Sequence, residues 1–95
     1  MTDKVENMRS SNGNKVANQF EILKENGGSI FQSYNSTIVE IKTGDDGLYQ
    51  TYLDEKYWNY SHTTSKYRNI FLNENINATR KKIKSGEYIL TDLNK

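Results

Sequence analysis

Two glycine-bearing turn signals about twenty residues apart, Asn26-Gly27-Gly28 and Gly44-Asp45-Asp46-Gly47, constrain the fold of this chain more than any other feature. Each lies between runs in which apolar and polar residues alternate, and such runs joined by a tight turn pair as antiparallel neighbours. In residues 16–24, Phe20 and Ile22 fall on one side and Gln19 and Glu21 on the other. Residues 29–42 open on Ile30-Phe31, pass through Tyr34 and close on Ile38-Val39-Glu40-Ile41, a β-branched stretch suited to a second strand. Asp46-Gly47 offers the positive-φ pair of a type I′ turn, after which Leu48, Tyr49, Tyr52 and Leu53 make a third strand. The expected unit is an antiparallel meander.

The pattern changes after Asp54-Glu55-Lys56. Tyr57-Trp58-Asn59-Tyr60 forms an aromatic hinge, residues 61–65 offer hydroxyl caps, and Tyr67, Ile70 and Phe71 recur at helical spacing. Asn77 is placed to cap a second helix with a stripe of Ile76, Thr79 and Ile83, which Ser85-Gly86 ends. Residues 87–93 read as a last strand. The expected fold is α+β in the order β-β-β-α-α-β, with two short helices over one face of a small antiparallel sheet of three to four strands. Residues 1–14 are polar, end in the turn-rich Ser10-Ser11-Asn12-Gly13-Asn14 and read as a flexible arm, leaving 15–95 as one domain.

Composition narrows the function. A domain of 95 residues buries roughly 60 to 65% of its unfolded surface, enough for one modest core. Mean hydropathy is low at −0.92, and seven Tyr, three Phe and Trp58 supply the apolar mass. The absence of cysteine removes disulfides and thiolate metal sites, His62 is the single histidine, and no cofactor is expected. No run approaches the roughly 20 apolar residues of a membrane span, and the start of the chain lacks the apolar core of a secretory signal, so a cytoplasmic setting is expected. Ser61, His62 and Asp54 or Glu55 are the ingredients of a nucleophile, base and orienter. Adjacent residues rarely aim at each other, and the hydroxyl run is better explained by capping, so no catalysis is expected.

Charge is unevenly divided. Residues 60–84 hold Lys66, Arg68, Arg80, Lys81, Lys82 and Lys84 against Glu74 alone, a net +5, whereas residues 1–59 carry −3. The basic segment suggests phosphate contacts to DNA or RNA, with the two helices arranged as in a helix-turn-helix. Against it stand an acidic set, Asp45, Asp46, Asp54 and Glu55, bracketing the third strand as a partial phosphate mimic, and a tyrosine set, Tyr49, Tyr52, Tyr57 and Tyr60, of the type that dominates interface hot spots.

The run 11–20, SNGNKVANQF, with Phe31-Gln32-Ser33-Tyr34, the stretch from Tyr57 to Tyr67 and the tail from Lys82 to Tyr88, resembles a family of short proteins of unknown function from phages and mobile elements of Firmicutes. That resemblance implies an accessory product working in a bacterial host. The expectation is a non-catalytic inhibitor of a host defence system, of anti-CRISPR type, that binds a host protein such as a CRISPR effector through the tyrosine and acidic residues. The alternatives are a small nucleic-acid-binding protein using the basic helices and a structural homo-oligomer.

Overall fold

The computed structural model describes residues 4–10, 12–25, 27–44 and 46–94. Along the chain run β1 (Lys4–Arg9), β2 (Lys15–Leu23), β3 (Ser29–Ser33), β4 (Ser36–Thr43), β5 (Tyr49–Asp54), α1 (His62–Leu72), α2 (Ile76–Ser85) and β6 (Tyr88–Thr91). The strands lie in one sheet in chain order, antiparallel from β1 to β5 and parallel between β5 and β6. The class is α+β as expected, but the sheet is larger than three to four strands and is mixed.

Two differences account for the enlargement and a third for the mixed pairing. Residues 4–9, expected within an arm outside the domain, pair with β2 from Lys4↔Leu23 to Asn7↔Phe20, and Met8 is buried. A single apolar anchor and a ladder of backbone bonds outweigh the polar composition there. Residues 29–42, expected as one strand, fold back at Tyr34-Asn35 to give β3 and β4, with Ser33 opposite Ser36. The final strand is parallel to its neighbour because the chain between β5 and β6, carrying both helices, is long enough for the crossover that parallel pairing needs.

The other hairpins share one construction. Around the β1–β2 turn Ser10 N donates to Asn14 O and Gly13 N to Ser10 O; the β2–β3 turn repeats this with Lys24, Gly28 and Gly27, and the β4–β5 turn with Gly44, Leu48 and Gly47. These are three-residue loops closed by a glycine at φ of 81°, 96° and 81°, a region that L side chains adopt at a cost. The two-residue type I′ turn expected at Asp46-Gly47 is thus replaced by a loop one residue longer. Asn26 and Asp45 lie outside the described residues.

The register divides the sheet into two faces. Phe31, Val39 and Leu53 stand side by side on one face and are wholly buried beneath the helices. A bulge sets both Ile38 and Val39 against Phe31, so two consecutive residues point into the core. Met8, Tyr67 and Tyr88 complete this core, and Phe71 stacks on Phe31 with ring centroids 5.8 Å apart.

Ser61 caps α1, its Oγ accepting from Thr64 N at 3.2 Å, and Asn73 ends the helix at φ 55°. The expected stripe of Tyr67, Ile70 and Phe71 is rotated. Ile70 is 49% exposed, and Thr64, Tyr67 and Arg68 are the buried residues of α1. Helix α2 begins two residues earlier than expected because Asn75, not Asn77, is its cap, accepting from Ala78 N at 2.9 Å, and Gly86 closes it. Among the described residues no helix is long and apolar enough to cross a membrane.

Candidate functional site

The β3–β4 hairpin tip and the linker between β5 and α1 face each other across a groove of about 460 Å³ lined by Ser33, Tyr34, Asn35, Ser36, Ile38, Tyr57, Tyr60 and Thr64. Tyr34 and Tyr60 are 56% and 71% exposed, and Tyr57 and Tyr60 meet edge to face at 5.4 Å. Tyr34 is held at φ 55°, rare for an aromatic residue, while its amide donates at 2.6 Å to the carbonyl of Asn18, itself at φ 65°. Strain of this kind persists only where the surroundings impose it, and here it sets a tyrosine on the rim. Three buried residues line the groove, Ile38 together with Ser33 and Thr64, whose hydroxyls are 3.0 Å apart. A second, shallower depression of about 270 Å³, between Asn59, Ser61, His62 and Ser65, lies on the other side of Tyr60.

Two buried polar side chains fix the tyrosine wall. Asp54 is 1% exposed; its Oδ2 accepts from the amides of Lys56 and Tyr57 at 3.1 and 2.8 Å, and its Oδ1 accepts from Leu93 N at 2.9 Å. Arg68 is fully buried. Its guanidinium donates to Trp58 O at 2.6 Å and to Asn69 Oδ1 at 2.9 Å, and lies over the Trp58 ring, 5.4 Å from its centroid. Burial lowers its pKa, Glu74 works in the opposite direction and Arg80 adds to the lowering. Arg68 makes no ion pair among the described residues, so backbone and amide oxygens carry its solvation.

Glu74, the lone acid of the basic segment, ties α2 to β6. Its Oε1 accepts from Lys82 Nζ at 2.7 Å and from Tyr88 OH at 2.9 Å, and its Oε2 accepts from Thr79 Oγ1 at 2.6 Å. Burial alone raises the Glu74 pKa, but the three hydrogen bonds outweigh it and hold the carboxyl below its ordinary value. The bond to Glu74 raises Lys82, and burial, followed by Glu74, pushes Tyr88 up to about 12. A depressed carboxyl contributes stability that is lost as pH falls through its folded pKa. A raised phenol contributes stability that is lost between about 10, its unfolded value, and about 12. Thermal melts across pH should therefore show both an acid and an alkaline loss, and Glu74→Gln, costing about 2 kcal/mol at neutral pH, should flatten the acid limb.

The residues singled out from sequence do not gather into one surface. Tyr49 and Tyr52 lie beside the β4–β5 turn in a separate depression with Lys42, Asp46 and Leu48, whereas Tyr57 and Tyr60 stand beyond the opposite end of β5. The acidic set is likewise divided between the two ends of β5. Asp46 turns back to accept from Leu48 N at 3.0 Å, Asp54 is buried, Glu55 is exposed at the far end of β5, and Asp45 lies outside the described residues. Of the basic set, Arg68 is buried and Lys82 is engaged by Glu74, while Lys66, Arg80, Lys81 and Lys84 remain exposed. Ser61 Oγ is committed to capping α1, and no hydrogen bond joins it or Asp54 to His62 among the described residues. Tyr34 is not among the residues singled out from sequence; the available signal is that a 14-residue strand is longer than the ordinary five or six and that Asn35 is a turn former.

Comparison with curated proteins and with solved structures gives no match. A family model does match, over residues 4–89, and so takes in β1 as well as both walls of the groove. The chain belongs to DUF8033, a family of unknown function.

Proposed function

We propose that this protein is a non-catalytic binding module that docks on a host protein through the groove between Tyr34 and the Tyr57–Tyr60 pair. The observation that carries this reading is the convergence of three tyrosines from two separate loops on one concave surface, with one of them held in a strained backbone conformation. Tyrosine contributes a large rigid contact area at small entropic cost, which is why it dominates binding hot spots. In its concrete form the protein is a phage or mobile-element accessory product of the bacterial cytoplasm. It inhibits a nucleic-acid-processing defence protein, of the CRISPR effector kind, by covering the path of guide or target. The mobile-element setting rests on the sequence resemblance described above.

A second reading is favoured by Arg80, Lys81 and Lys84, exposed together on α2. It makes the protein a DNA- or RNA-binding accessory factor. Polarisation titrations against bare DNA and RNA separate the two. The docking reading expects weak binding that is unchanged when Tyr34 and Tyr60 become Ala. The helical reading expects salt-sensitive binding that is lost in Arg80→Ala/Lys81→Ala/Lys84→Ala, each phosphate contact contributing about one unit to the salt slope.

A further inference from the structure

The sheet face opposite the helices carries an aligned row. Following the register from edge to edge, Val5 faces Ile22, Ile22 faces Ile30, Ile30 faces Glu40, Glu40 faces Tyr52 and Tyr52 faces Ile89. One large apolar side chain per strand thus crosses the whole sheet, broken only by a carboxylate on β4. Val5 is 61% exposed, Ile89 is exposed, and the others are half-buried on a face with no helix over it. Glu40 has no ion-pair partner among the described residues. Two residues along the same face, Lys42 is exposed, with its ammonium 5.1 Å from the Tyr52 ring centroid.

We infer that this face is where two copies of the chain meet as a symmetric dimer. The spacing of the two charges fixes how the copies meet. For two sheets packed face to face, a two-fold axis lying between them and crossing the strands at Ile41 sets each strand over its own copy in the opposite direction. Glu40 of each copy then lies over Lys42 of the other, about 7 Å along the strand from its own Lys42, and the pair forms twice. Placing the axis at Glu40 itself would oppose two carboxylates, so the charges select one register. In that register the two apolar rows run side by side at the centre of the interface. The charge pairs sit near the axis, where the roughly 30° rotation between packed sheets displaces them least. Six strands about 4.8 Å apart and some 20 Å long give a footprint near 600 Å² before side-chain relief is counted, approaching the roughly 800 Å² per partner of an ordinary stable interface. This dimer leaves the tyrosine groove free and does not depend on the docking proposal.

Sedimentation equilibrium of the full chain tests it. The wild type should rise from its 11.0 kDa monomer toward twice that mass with concentration. Glu40→Lys and Lys42→Glu should each weaken self-association by at least about tenfold, since each sets like charges face to face twice. The double swap Glu40→Lys/Lys42→Glu should restore it. Circular dichroism of every variant checks that the fold is retained, and restoration by the double swap cannot arise from misfolding. A wild type that stays monomeric at all concentrations overturns the dimer. Self-association indifferent to the single reversals, or a double swap as weak as either single one, overturns this interface.

Discussion

Replacing Arg68 with alanine is expected to destabilise the protein by about 3 to 4 kcal/mol, through a cavity in the core and a buried carbonyl left without a donor. The side chain is fully buried and supplies the only hydrogen bond to Trp58 O described for that carbonyl. Its counter-charge is not an adjacent carboxylate but a set of oxygens on Trp58, Asn59, Ser65 and Asn69. Lysine should rescue little of the loss. A single ammonium cannot reach Trp58 O and Asn69 Oδ1 from opposite prongs of a planar fork. Urea unfolding followed by Trp58 emission reads the effect, because the fluorophore is the residue that Arg68 holds. A loss below about 1 kcal/mol for Arg68→Ala, within the range of an ordinary surface substitution, would contradict the structural role assigned here.

Phe31→Ala is expected to cost about 4 kcal/mol, near the middle of the range for a core aromatic. Phe31 is wholly buried, lies opposite Val39 and stacks on Phe71, so it joins α1 to the centre of the sheet. A domain of ordinary stability has about 5 to 15 kcal/mol in total, so the variant should be close to unfolding near room temperature. Thermal denaturation should show a midpoint lowered by well over 10 °C, at roughly 4 to 8 °C per kcal/mol for a domain of this size. Ile70→Ala on the exposed side of the same helix should shift it little. Equal effects at Phe31 and Ile70 would mean that α1 packs in the orientation the sequence suggested.

The helix orientation shows what was legible and what was not. Alternation, glycine turns and caps are local signals, and they placed β2, β5, both helices and the last strand near their positions. The β3–β4 turn escaped because Tyr34 enters the left-handed region without glycine, stabilised by a bond to Asn18, which only the folded sheet brings near. In the sequence Arg68 belongs to a basic surface, because an arginine on a short helix is normally exposed. Its burial depends on oxygens from the hinge just before the helix, whose path is set by Asp54. Tyr57 and Tyr60 stand out in the sequence as an aromatic cluster, but the tyrosine that faces them across the groove does not, because it belongs to a loop more than twenty residues earlier. The open face of the sheet illustrates the same limit. Each of Val5, Ile22, Ile30, Tyr52 and Ile89 looks ordinary in sequence, and only the strand register aligns them into one row.

The central claim, docking of a protein partner through the tyrosine groove, is tested most directly by affinity capture from a nuclease-treated bacterial lysate. Wild type is compared with Tyr34→Ala/Tyr60→Ala and with Arg80→Ala/Lys81→Ala/Lys84→Ala, and the captured proteins are quantified by mass spectrometry. The account predicts one stoichiometric protein that survives nuclease, persists with the helix variant and is lost with the groove variant. A partner retained by the groove variant, or one that disappears with nuclease and with the helix variant, would contradict it.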